Sequence, residues 1–213
     1  MHNMKKYSYY IIYIILLMIA APLYAQNGKC NILLDNVIKE YDASNGVSAN
    51  FSICTESNGY ASETSGKIVL NGKMFSFTTT EMECGYDGET LWTYIKNNNE
   101  INLSIPEEEE IININPYLLI KNYSKRFKCS FAGKSGDMET VVLSPKSSAD
   151  NIVSVKVTIN SKLLCLSRIE VANKDNSKIV IKVSDYNSRI NVDKAKFSFD
   201  KKKYPNIEII DLR

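Results

Sequence analysis

Few residues in this chain have the chemical reach for catalysis. Its one His is His2. Lys5-Lys6, the apolar run Ile11 to Ala21 and the small-residue approach Leu23-Tyr24-Ala25 mark residues 1–25 as an export signal cleaved after Ala25. The apolar run is short for a membrane span, which needs about 20 residues. The exported remainder then holds no His, and so lacks the usual neutral-pH base and the commonest metal ligand. Ser-His-Asp, Cys-His and His-metal chemistry are excluded together.

Five Cys stand at positions 30, 54, 84, 129 and 165, with no CxxC pair. An oxidising compartment permits one or two disulfides. The odd count leaves a thiol that is free or pairs between molecules. Spacing assigns no partner, and five small buried strand residues account for the pattern equally well. Cys30 could be a lipidation site, but Asn27-Gly28-Lys29 is a poor approach to one. Among the carboxylates, Asp87 and Glu89 are the best placed. Asp87-Gly88 is a turn pair, however, in which Asp hydrogen-bonds the backbone and Gly takes positive φ. A hydrolase of the two-carboxylate kind needs its acids held across a cleft, and nothing here places such a pair. Glu107 to Glu110 read as a solvated loop, and Lys201-Lys202-Lys203 as a solvated turn rather than a lipid-headgroup site. The expectation is a protein without catalytic residues, metal or cofactor.

Charge excludes a further class. The signal carries two Lys and no acid, so its removal takes Lys+Arg from 26 to 24, level with 24 Asp+Glu. The basic balance of the whole chain belongs to the part removed, and no nucleic-acid partner is expected. Residues 26–213 are one domain's worth of chain, expected to be monomeric.

The elements around these residues are mostly strands. Ile32 to Tyr41 has helical spacing, with Leu33, Val37 and Tyr41 on one face, and Asn45-Gly46 ends it. Val47, Ala49, Phe51 and Ile53 then alternate with polar residues, and Asn71-Gly72 is a strong two-residue hairpin turn. The hairpin at Asp87-Gly88 sends Trp92 and Tyr94 to one face and Leu91 and Thr93 to the other. Asn115-Pro116 reads as an N-cap followed by Pro at the first helical position. Tyr117, Leu118, Leu119 and Tyr123 make that helix too apolar to stand free, so it must lie on something. Alternating strands resume from Phe127 to Val183, and Phe197 and Phe199 precede the lysine turn. About eleven strands with two short helices predict one large antiparallel sheet that curls. Many strands are apolar on one face only. Two arrangements satisfy this pattern: a filled core, or a cavity lined by Phe51, Phe75, Phe77, Trp92 and Leu103.

The order of these signals resembles the periplasmic lipoprotein carriers of the LolA family and their Bacteroidetes-type relatives. The resemblance rests on Gly66, Met74-Phe75-Ser76-Phe77, Asp87-Gly88-x-Thr90-Leu91-Trp92-x-Tyr94 and Asn115-Pro116-Tyr117-Leu118-Leu119. Leu143-Ser144-Pro145-Lys146 and Ala195-Lys196-Phe197-Ser198-Phe199 extend it over nearly all of the exported chain. It implies a mostly β fold: an incomplete, half-open antiparallel β-barrel of about eleven strands, with short helices forming a lid over a hydrophobic cavity. It implies a carrier that shields the acyl chains of lipoproteins, or another lipid, between an inner-membrane exporter and an outer-membrane acceptor. Phe75 and Phe77 fall on the family's cavity aromatics, and Tyr117, Leu118 and Leu119 on its lid. One position departs: where better-known members carry a basic residue that latches the lid, this chain has Asn71. A latch must differ here or be absent, which keeps open a second reading, a sensor or interaction domain that binds lipoproteins to regulate a partner.

Overall fold

The computed structural model describes residues 28–213, so the expected export signal lies outside the described residues. A helix over residues 28–43 (α1) leads. Six strands follow as successive hairpins: β1 (Val47–Ser57), β2 (Tyr60–Asn71), β3 (Met74–Thr79), β4 (Met82–Tyr86), β5 (Leu91–Ile95) and β6 (Glu100–Ser104). Three short helices, α2 (Glu108–Ile114), α3 (Pro116–Lys121) and α4 (Tyr123–Arg126), then lead into a second series. It comprises β7 (Phe127–Ser135), β8 (Met138–Pro145), β9 (Ile152–Asn160), β10 (Cys165–Asn173) and β11 (Lys178–Asn187). Two 3₁₀ turns, Lys194–Lys196 and Lys201–Lys203, precede β12 (Glu208–Asp211).

All twelve strands among the described residues belong to one unclosed sheet, in the order β12-β6-β5-β4-β3-β2-β1-β11-β10-β9-β8-β7. The half-open barrel is therefore two runs of hairpins joined along β1 and β11. One pairing departs from the antiparallel expectation. β12 runs parallel to β6, because the chain after β11 crosses the outer face of the sheet before rejoining it, and such a crossover is what parallel pairing needs. Phe197 and Phe199 lie in this crossing segment, outside any strand.

Register lays apolar rows across the inner face. Cys129, Leu143, Val155, Val171 and Ile179 are neighbours from β7 to β11, and Phe131, Val141, Val157, Ile169 and Ile181 form the next row. α1 covers part of these rows with the stripe Cys30, Leu33, Leu34, Val37 and Tyr41, all buried. At its start, Cys30 is bonded to Cys129 of β7, which answers the connectivity question and occupies the sulfur that lipidation would need. Beside it Lys29 lies 3.7 Å from the Phe131 ring centroid and 3.3 Å from Glu139. Cys54, Cys84 and Cys165 remain free thiols.

β6 and β7 lie at or near opposite ends of the strand order, so residues 105–126 must bridge the open side of the curl. That passage is helical from Glu108 onward. The acidic run is accordingly not a loop, as its charge predicted, but the start of α2. The Glu107 N–H donates to the Glu110 carboxylate over 3.0 Å, and acids at a helix N-terminus meet the positive end of its dipole.

The outer face has its own small core. Trp92, Ile101 and Leu103 are buried there under Phe199, Tyr204, Ile207 and Ile209 of the C-terminal segment. The Trp92 indole N–H donates to the Phe197 carbonyl over 2.8 Å. Trp92 is paired across the ladder with Gly85. A Cβ on Gly85 would collide with the indole and with the Phe197 carbonyl.

This packing makes Gly85 and the disulfide testable. Gly85→Ala should displace the indole, shift Trp emission to the red and lower stability by ~1–3 kcal/mol; an unmoved emission maximum would show that the ring is not held there. Replacing both Cys30 and Cys129 by Ser opens a loop with a sequence separation of 99. Urea unfolding should then report a loss of ~2–5 kcal/mol, and no loss would mean that packing alone holds α1.

Candidate functional site

Where α1 does not reach, the inner face stays open. A cavity of about 360 Å³ lies over β1, β2, β3 and β11, within the roughly 300–1,000 Å³ usual for small-molecule sites. Its floor is graded along β1. Val47 and Leu70 pair at one end, then Ala49 with Ile68, then Phe51 between Val183 and Gly66. Next come Ile53 with Thr64, and Thr55 with Ser62. The apolar end is closed, because Val47, Leu70, Leu166 and Tyr117 are buried there. Ile114 and Pro116 of the helical passage form its roof. The other end is a mouth of Thr55, Ser62, Thr64, Glu81 and Met82, with Thr79 buried beside it.

Gly66 explains how the central aromatic fits. The Phe51 ring tip approaches to 3.0 Å of where a Gly66 Cβ would stand, so the ring lies across the glycine. It meets Phe77 edge-on at 6.2 Å between centroids.

Of the five residues expected to line a cavity, Phe51 and Phe77 do so. Phe75 shares their face but is fully buried, its ring 6.3 Å from Phe77 and 5.7 Å from Tyr86. It supports the Phe77 ring from the side. Trp92 and Leu103 correct the expectation, since both belong to the outer core. Strand alternation puts Leu91 inward in β5 and so turns Trp92, with its ladder partner Leu103, outward. Of the expected lid residues, Tyr117 faces the cavity. Leu118 and Leu119 are half-buried against the inner core, and Leu119 also borders a separate hollow with Ile112 and Phe127. Ile181, Val183 and Tyr186 of β11 line the cavity unanticipated. Their alternation was legible, but their place beside β1 depends on a pairing between segments far apart in the chain.

The roof is fastened at one carbonyl. Gly72, in the β2–β3 turn, accepts from the Tyr41 hydroxyl at 2.6 Å and from the Asn115 side-chain amide at 3.0 Å. The Asn115 side-chain oxygen accepts from the Tyr117 N–H at 3.1 Å, as the N-cap of α3. Asn115 is fully buried. The Tyr41 and Tyr117 rings stack at 4.1 Å between centroids and 5° between planes. Burial pushes the Tyr41 phenol up to about 12, partly opposed by the Asn115 hydrogen bond. Burial also holds the Tyr117 phenol far above its ordinary value. Both phenols therefore keep their protons at neutral pH, and Tyr41 stays a donor. Asn71, the position that departs from the basic residue of better-known family members, donates to the Asn45 carbonyl at 3.1 Å. The hydrogen bonds that hold the helical passage to this hairpin are made at the carbonyl of the next residue, Gly72.

The chemically versatile groups stand elsewhere in quiet settings. Asp87 accepts from the Glu89 and Thr90 N–H groups, the turn it was expected to make. Burial pushes the thiols of Cys84 and Cys165 up to about 11, with a Thr93 hydrogen bond opposing it at Cys84. Thiols so raised carry little thiolate. Among the described residues no three His, Cys, Asp or Glu side chains are grouped to hold a metal ion.

Asn115→Ala should remove both the helix cap and one donor to Gly72, at a cost of ~2–3 kcal/mol. Urea unfolding measures this, and hydrogen exchange at the Tyr117 amide should quicken. Unchanged exchange would show that α3 is held by its apolar contacts alone.

Among known proteins, the chain matches no curated one. A crystal structure of an uncharacterized conserved protein from Thermus thermophilus shares the fold, with a TM-score of 0.57 at 11% identity over 86% of this chain and 99% of that one. Weaker likenesses extend to a LolA superfamily protein from Nitrosomonas europaea (TM-score 0.43, 10% identity, 81% of this chain and 98% of that one). LprF from Mycobacterium bovis is similar to the same degree (TM-score 0.45, 11% identity, 79% and 97%). The family model described as outer membrane lipoprotein carrier protein LolA matches residues 23–175. That match spans more than half of the sequence, and the chain belongs to the LolA family of outer membrane lipoprotein carrier proteins.

Proposed function

We propose that the protein is a periplasmic carrier that shelters the acyl chain of a lipoprotein, or of another lipid, between the inner and outer membranes. The observation that carries this reading is the cavity itself, apolar and roofed at one end and open at the other. Each methylene taken out of water is worth ~0.8 kcal/mol, so a long acyl chain cannot cross an aqueous space unshielded. No chemistry is needed for this role. Loading and release need only that the roof move, and it is tied to the β2–β3 turn by hydrogen bonds. A membrane exporter would supply the cargo and an outer-membrane acceptor would take it.

Native mass spectrometry of the protein purified gently from its own periplasm tests the reading. A bound lipid or acylated protein supports it. A bare protein that also refuses a fluorescent acyl probe would overturn it in favour of an interaction domain. Phe77→Glu places a carboxylate in the cavity wall, and an unpaired charge in an apolar site is costly. It should weaken binding of the probe by at least about tenfold with the circular dichroism unchanged; undiminished affinity would remove Phe77 from the binding surface.

A further inference from the structure

The polarity of the cavity has a direction. Its closed end is Val47, Leu70, Leu166 and Tyr117, all buried. The mouth carries the hydroxyls of Thr55, Ser62 and Thr64 and one charge, the exposed carboxylate of Glu81; the Thr79 hydroxyl beside them is buried and already accepts from the Glu81 and Met82 N–H groups. Among the described residues no Lys or Arg lines the cavity. The cation beside this rim, Lys96, is outside the lining and already engaged: its ammonium donates to the Thr79 carbonyl at 2.8 Å and pairs with Glu83 at 3.6 Å. Lys67 and Lys182 sit on the same strands but alternate with lining residues and so lie on the opposite face. An amphiphile in this cavity is thus oriented tail inward and head at the mouth, where it meets hydroxyl groups and a negative charge.

We propose that this mouth selects the head group. An acyl chain ending in an uncharged, hydrogen-bonding head of the amide or ester kind is accepted, and one ending in a carboxylate or phosphate is disfavoured. Hydroxyl groups donate to an acyl carbonyl, and the Glu81 carboxylate accepts from an amide N–H. An anionic head at the same place meets no cation among the lining residues and is repelled by Glu81. Glu81 is in this sense a specificity residue. The inference rests on the acyl-binding reading above.

A matched pair of probes separates the two. Dansyl-labelled undecanoic acid and its methylamide share chain and fluorophore and differ in head charge. The methylamide should bind the wild-type protein roughly tenfold more tightly than the acid, and salt should narrow the gap. Glu81→Gln, an exposed substitution whose side-chain oxygen still accepts from an amide N–H, should close the gap chiefly by raising affinity for the acid. Glu81→Lys should invert the preference. Equal affinities in the wild type, or a gap that survives Glu81→Gln, would overturn the head-group inference while leaving the acyl cavity standing. Failure of both probes to bind would overturn the cavity reading and this one with it.

Discussion

The carbonyl oxygen of Gly72 takes hydrogen bonds from Tyr41 on α1 and from Asn115 at the start of α3. Three pieces of chain that are distant in sequence meet at that atom: the leading helix, the β2–β3 hairpin and the helical passage over the open side. A buried polar group left without a partner costs ~1–3 kcal/mol, more than a typical hydrogen bond contributes net. Tyr41 and Asn115 are both buried, so moving either helical element off the hairpin strands a polar group at this junction. The stacking of Tyr41 on Tyr117 adds an apolar contact to the same junction. Because the sheet is unclosed, its own ladder does not cover the inner face, and the position of both covering elements depends on this knot.

The two faces of the sheet are treated differently. On the outer face, the C-terminal segment packs down on Trp92, Ile101 and Leu103 and leaves a filled core. On the inner face, α1 buries the rows of β7 to β10 and is secured at its far end by the Cys30–Cys129 bond. Ion pairs of Glu139 with Lys29 and Lys134 stand beside that bond. The Lys134 hydrogen bond, and then those pairs, hold the Glu139 carboxyl below its ordinary value, but pairs with exposed lysines contribute little to stability. Only the region over β1, β2 and β11 lacks such cover. Stability is thus concentrated in one half of the sheet and access in the other, a division expected where a binding region must open without unfolding the whole.

That division also orders the chemistry. The Cys84 and Cys165 thiols are buried and protonated, the Asp87 carboxylate is spent on a turn, and apart from Glu81 the residues lining the cavity are apolar or hydroxyl-bearing. Such a surface binds by excluding water. Its selectivity resides in shape and in the few polar groups at the mouth.

Much of this architecture was legible in the residues alone. Asn71-Gly72, Asp87-Gly88 and Asn115-Pro116 act through their own backbone preferences and nearest neighbours, so each turn or cap stood where its chemistry required. Period-two alternation likewise revealed that β5 has two unlike faces. It did not reveal which face is inner, because that depends on what lies across the sheet: Leu91 meets the core under α1, and Trp92 meets a segment that follows far later in the chain. The same limit explains the unforeseen lining from β11, the bridge from Cys30 to Cys129 and the hydrogen bonds of Tyr41 and Asn115 to the Gly72 carbonyl. The acidic run shows it on a smaller scale, since four like charges signal solvent until a helix dipole gives them a place. Local sequence determined the elements, their turns and the oily character of one face. Tertiary structure alone decided which oily residues would be packed and which would be left facing a cavity, because that choice is set by contacts between segments that carry no mark of one another.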